Sequence, residues 1–185
     1  QERALEFYRH ARQARRDATL IVRLPLNPAS KAAVDALVRE GCPIVHLVAD
    51  EMAHELDGER FLTDAIRDIH DHLVAESLRD QISIIVSGGI ANAEHMPKSI
   101  ICGADAVAID FVILMALGCG LWADVRHGCK VEAGEFDAEW GAQRLVNIIS
   151  AWRDQLLEAM GAMGIREVRR MRGELGRAMF YKEEE

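Results

Sequence analysis

No apolar run in this 185-residue sequence approaches the ~18 residues that a membrane-spanning helix needs, so membrane insertion is not expected. Basic residues are in the minority. The 22 Lys and Arg stand against 30 Asp and Glu, a formal net charge of −8. A nucleic-acid partner calls for a basic face and is not expected either. The four cysteines, Cys42, Cys102, Cys119 and Cys129, are too dispersed for the disulfide framework of a small secreted domain. Cys42 and Cys102 adjoin apolar runs, where buried free thiols are common. A reducing, cytoplasmic setting is the expectation. The start, Gln1-Glu2-Arg3-Ala4, has no Met and no charged-then-apolar leader, and is read as a cut point or a processed end. No segment is of low complexity.

What remains is ample for one domain with a core, since 50% of the residues are hydrophobic. Residues 19–24, 44–49, 82–86 and 106–109 are continuously apolar and rich in β-branched side chains. Such runs are buried parallel strands. A helical pattern follows each. Asn27-Pro28-Ala29-Ser30 opens a helix to about residue 40, stopped by Gly41. Residues 59–77 place Phe61, Ala65, Ile66, Ile69, Leu73 and Val74 on one face. A third helix spans 92–101, closed by Gly103, and a short apolar one spans 112–117. The basic amphipathic stretch 2–16 leads into the first strand. After the last unit, 139–163 forms a long helix with Trp140 and Trp152 as packing residues. Gly164-Ile165-Arg166 breaks it, a short basic helix follows, and the tail 180–185 is polar.

Strand followed by helix, repeated, means parallel pairing through right-handed crossovers. The expected fold is α/β: the C-terminal half of a (βα)₈ TIM barrel, four βα units, plus a long C-terminal helix. Residues 1–118 form the half-barrel, 119–138 a post-barrel loop, and 139–185 the closing helices. Four units leave two open sheet edges, which natural proteins avoid. The expected partner is the N-terminal half of the barrel, on the same polypeptide or on another subunit.

Two segments carry chemistry. In Ser87-Gly88-Gly89-Ile90 a buried strand ends in bare glycine backbone just before a helix, the arrangement that lets a phosphate approach. In barrels of this kind, loops after the seventh and eighth strands are a frequent phosphate site. A tight turn with no ligand is the alternative. Asp50, Glu51, His54, Glu55 and Asp57 follow the second strand, at the rim where barrel enzymes place catalytic groups. A His among carboxylates can act as a base or bind a metal, and a solvated acidic loop is the alternative. His70 and His72 lie mid-helix, two residues apart, and face different sides.

Ser87-Gly88-Gly89-Ile90, then Gly103-Ala104-Asp105-Ala106-Val107-Ala108-Ile109, then Ala116-Leu117-Gly118-Cys119, resembles the FMN-binding synthase domain of glutamate synthase. The long helix beginning near Arg144-Leu145-Val146-Asn147 and ending in Gly164-Ile165-Arg166 resembles that family's barrel-closing helix. The likeness runs from about residue 18 to residue 173. It implies a flavin-dependent oxidoreductase that forms glutamate from 2-oxoglutarate and glutamine-derived ammonia, with a redox partner subunit. It also implies FMN held through Ser87, Gly88, Gly89 and Ile90, with Arg23 facing the flavin ring or a substrate carboxylate and Asp110 beside the phosphate.

Several positions depart from the family. Arg23 stands where the family has Lys. Asp110-Phe111 replaces Gly-Thr, putting a carboxylate where the phosphate lies, so weakened FMN binding is expected. The family's glycine-rich substrate segment is here Ala49-Asp50-Glu51-Met52-Ala53-His54-Glu55, acidic and free of glycine. The family's iron–sulfur ligands are three cysteines, spaced six and then five apart. Cys119 keeps the first, Val125 takes the second place, and Cys129 falls one short of the third, at Lys130. Two thiolates do not complete such a cluster, even with His127 nearby. A non-catalytic subunit that keeps the barrel without its cofactors is the rival expectation.

Overall fold

The computed structural model of the chain describes residues 2–118 and 137–177. Cys119, Cys129, His127, the 119–136 part of the expected loop and the tail 180–185 lie outside the described residues. The order of elements is α1 (Glu2–Ala14), β1 (Ile21–Pro25), α2 (Ser30–Arg39), β2 (Ile44–Val48), α3 (Leu62–Ala75), β3 (Ser83–Ser87), α4 (His95–Ile101), β4 (Ala106–Val107), α5 (Phe111–Ala116) and α6 (Ala138–Ala162). The sheet is β1-β2-β3-β4, parallel throughout and in chain order. That is the α/β half-barrel the sequence predicts, with the long C-terminal helix in place.

The faces of the sheet follow from the two-residue period of strands. Val45 and Leu47 of β2, and Ile84 and Val86 of β3, are fully buried against the helices, among Leu37, Ile66, Ile69 and Leu73. Burial of each such side chain contributes about 1.5–3 kcal/mol. The alternate residues Arg23, His46, Ile85 and Ala106 are in register across all four strands and form a row on the inner face. A second cluster, Ile100, Ile101, Met160, Ile165 and Met171, ties the end of α6 and the segment after it to α4.

Some expected boundaries move for local reasons. α4 starts at His95 rather than Asn92, because Pro97 has no N–H to donate and fits only in a first turn. β4 is only two residues long; Ala108 still donates to Val86 O at 2.8 Å, but by Asp110 the chain has turned into α5. The expected basic helix after Gly164 is instead two 3₁₀ turns, Val168–Met171 and Leu175–Arg177. Trp152 is buried in the main core, as expected of a packing residue, whereas Trp140 is 45% exposed with Arg144 over its ring at 4.9 Å.

The N-terminal ends of β3 and β4 are joined by a charged network. Arg79, 4% exposed, donates to Ile82 O at 2.8 Å, Gly103 O at 2.7 Å and Asp105 Oδ2 at 2.6 Å. Its Nε donates to His70 Nδ1 at 3.1 Å. Asp105 also accepts from Ile84 N at 2.7 Å and from Arg172 at 2.5 Å. Arg172 reaches on to Asp80 at 2.9 Å. Burial pushes the Arg79 guanidinium and the His70 imidazole down from their usual pKa values. His70 accepts a hydrogen bond within this network, and His72 pairs with Asp35 at 3.0 Å. Asp105→Ala leaves Arg79 buried without its counter-charge. We expect a loss of about 3–5 kcal/mol in urea unfolding of the complete protein; a change below ~1 kcal/mol would mean that the network contributes little.

Candidate functional site

The C-terminal ends of β2 and β3 meet at the Gly88-Gly89 turn. Both glycines are left-handed, with φ of +100° and +64°. A Cβ on Gly88 would lie 2.4 Å from the Ala49 carbonyl oxygen, and one on Gly89 would lie 2.3 Å from Ala53 N. No real Cβ fits at those distances, so glycine is required by the loop between β2 and α3 before any ligand is considered. The backbone N–H groups of Gly88, Gly89 and Ile90 donate to no described residue. Consecutive N–H groups of this kind form a concavity suited to an anion. The helix expected at this turn starts further on, at His95, and spans seven residues, so its dipole adds little. Ile90 is buried in the main core.

The acidic segment after β2 is mainly structural. Asp50 Oδ1 accepts from Met52 N at 2.9 Å and from His54 N at 2.7 Å. Glu55 is 3% exposed and bound by Arg60 through both carboxylate oxygens, at 2.7 and 3.1 Å. His54 packs edge-on against Phe61. The reading as a solvated loop is thus corrected at Glu55, where a folded lid covers the glycine turn. Among the described residues no group of three or more His, Cys, Asp or Glu is placed to hold a metal.

The inner face carries a cluster that sequence reasoning missed in part. Arg23 is exposed on β1 and makes no hydrogen bond or ion pair with any described residue. His46, its register partner on β2, is half-buried, with Nε2 2.8 Å from Ser87 Oγ. Burial, then the neighbouring Arg23 charge, push the His46 imidazole below its usual pKa; the Asp110 carboxylate pulls the other way. Asp110 caps α5, accepting from Phe111 N at 2.7 Å. The expected residues Arg23, Ser87, Gly88, Gly89 and Asp110 thus surround the open end of the inner face. Their missed neighbour His46 had one signal, a lone polar residue in the run Ile44-Val45-His46-Leu47-Val48. A cavity of about 760 Å³ lies elsewhere, between the loop after β3, α5 and α6, and none of the predicted flavin residues lines it.

Residues 61–166 match the family model described as the conserved region in glutamate synthase. The chain belongs to the glutamate synthase family. The match covers α3, the Gly88-Gly89 turn, β4 and α6, so the family region contains the turn and the elements around it. Among relatives, the archaeal glutamate synthase [NADPH] of Methanocaldococcus jannaschii is 39% identical over 121 residues, 59% of this chain and 23% of that protein. The archaeal-type glutamate synthase [NADPH] of Thermotoga neapolitana is 35% identical over 119 residues, again 59% and 23%. The aligned stretch is therefore about a quarter of the length of these relatives. Among solved structures, the flavin-binding domain of baker's yeast flavocytochrome b2 superposes with a TM-score of 0.63 at 16% identity, covering 91% of this chain and 37% of that one. A flavocytochrome b2 variant with benzoylformate gives 0.63 at 15%, covering 90% and 37%. At such identities the likeness is one of fold, and it supports the barrel-half reading of this glutamate synthase family member.

The glycine geometry makes a prediction of its own. Gly89→Ala adds both a Cβ clash with Ala53 and a left-handed alanine, which alone costs about 1–2 kcal/mol. We expect the complete protein to lose more than ~2 kcal/mol of stability with no ligand present. A neutral Gly89→Ala, measured by thermal melting, would show that the lid does not sit on the turn.

Proposed function

We propose that this chain is the C-terminal half of the FMN-binding barrel of a glutamate synthase-like oxidoreductase, whose family chemistry is formation of glutamate from 2-oxoglutarate and glutamine-derived ammonia. The observation that carries the reading is the place of the family match: it contains a strand-end turn with three N–H groups that donate to no described residue. The donor set suits a phosphoryl group. Gly88, Gly89 and Ile90 would hold the phosphate through their backbone, and Arg23 would face the flavin ring or a substrate carboxylate. Bound FMN would supply the two-electron chemistry, with the protein binding and orienting the reactants. The partner would be the N-terminal half of the barrel, covering the inner face and the free edge of β1, together with a redox subunit. A cytoplasmic setting agrees with free, buried Cys42 and Cys102, and no described helix is long and apolar enough to cross a membrane. An iron–sulfur cluster held by Cys119 and Cys129 alone is not part of the proposal.

A second reading, a non-catalytic barrel that has lost its cofactors, draws on one feature. Asp110 sets a carboxylate three residues beyond β4, close enough to act on the His46 imidazole of the inner face. At an effective dielectric of ~20 its repulsion of a phosphate is on the order of a kcal/mol or more, comparable to a favourable helix end. Asp110→Asn keeps a capping oxygen and removes the charge. In a flavin titration of the complete protein, the wild type is expected to bind FMN weakly and Asp110→Asn about tenfold more tightly, the equivalent of ~1.4 kcal/mol. Absence of flavin binding in both proteins would favour the non-catalytic reading.

A further inference from the structure

Resting on the proposed function, a finer inference concerns His46. Three elements put charged or polar groups around its ring: Arg23 from β1, Ser87 from β3 and Asp110 from the cap of α5. Nε2 is committed to Ser87 Oγ at 2.8 Å, and Nδ1 bonds to no described residue. Ser87 is buried, so its hydroxyl cannot swing to solvent as a surface serine would. Arg23 has no partner among the described residues. An unpaired guanidinium beside a fixed imidazole, on the inner face of parallel strands, is a poor device for stability. Like charge disfavours the imidazolium, and the bond to Ser87 holds the ring in one orientation.

We propose that His46 is the proton acceptor of the inner face, with Nε2–H donating to Ser87 Oγ and bare Nδ1 taking a proton from the ammonium group of an amino-acid ligand. In that step the ligand N–H bond breaks and its electron pair stays on nitrogen. A bond forms between the proton and Nδ1, and the imidazole becomes imidazolium. Arg23 disfavours this product until an anionic ligand arrives. Once the ligand carboxylate offsets the guanidinium, the imidazolium is tolerated, so anion binding and proton uptake are coupled. In the synthetic direction the same proton returns from Nδ1 to the nitrogen. His46 is thus an acid–base residue, and Ser87 is a positioning residue that acts through it.

The test uses the complete protein, as wild type, His46→Gln and Ser87→Ala. Flavin absorption first reports FMN loading in each protein, and rates are compared per loaded flavin. L-Glutamate is then mixed in without oxygen, and bleaching of the flavin band is followed from about pH 5 to about pH 9. The wild-type rate should be flat at high pH and fall as His46 protonates, below the ordinary histidine range of ~6.5. His46→Gln should remove that acid limb and slow bleaching by roughly 10²–10⁴-fold. Ser87→Ala should keep the reaction and move the limb to lower pH, because the lost hydrogen bond favoured the imidazolium. An unchanged rate and limb in His46→Gln overturns the role of His46 and leaves the flavin reading standing. Loading without bleaching at any pH overturns the base and its ligand together. If no variant loads flavin, the proposed function falls, and histidine ring ¹⁵N NMR decides His46. A ring protonated on Nε2 at neutral pH supports the assignment, and a ring protonated on Nδ1 overturns it.

Discussion

The Cα atoms of Gly88 and Gly89 lie so close to the backbone of Ala49, Asp50 and Ala53 that no side chain fits between them. This contact fixes the C-terminal end of β3 against the loop that leaves β2. Three further features follow from it. The lid folds back on itself through Asp50 and the buried Glu55–Arg60 pair. The N–H groups of the turn donate to no described residue. Ser87, the last residue of β3, comes within hydrogen-bond distance of His46. Without the glycines, the lid would have to lift and the row of inner-face residues would lose its upper boundary.

The two ends of the half-barrel differ in how far their polar groups are satisfied. At the lower end, Arg79, Asp105 and Arg172 are mutually satisfied, with Arg79 buried and the other two partly exposed, and they join two strands to the segment after α6. At the upper end, charges are left unspent. Among the described residues Arg23 has no partner, and Nδ1 of His46 has none. Unsatisfied polar groups cost stability wherever they are shielded from water. Their concentration on one face is why the proposed chemistry is placed there rather than at the 760 Å³ cavity near α6.

The fold was legible because its signals are local. β1 to β3 are unbroken apolar runs, and α6 repeats its apolar residues at helical spacing over 25 residues. What escaped had two sources, local geometry at the ends of elements and contacts distant in sequence. Pro97 set the start of α4 later than the expected Asn92. The early end of β4 reflects the turn into α5 that Asp110 caps. Arg79, Asp105 and Arg172 are remote from one another in the chain, and nothing short of the fold brings them together. Of the site, the glycine turn was read from its sequence, although the lid that explains it was not. His46 was missed because one polar residue inside an apolar strand does not reveal which face it occupies until the register with Arg23 and the bond to Ser87 are known.

Membership of the glutamate synthase family and the barrel fold come together at the Gly88–Ile90 turn, whose N–H groups donate to no described residue. A crystal structure of the complete protein grown with FMN tests that meeting point directly. The account predicts phosphate oxygens within about 2.7–3.2 Å of the N–H groups of Gly88, Gly89 and Ile90, with the flavin ring over the row that holds Arg23 and His46, and a further strand paired along the free edge of β1. Flavin lodged between α5 and α6, or a turn whose N–H groups meet only protein, would contradict it.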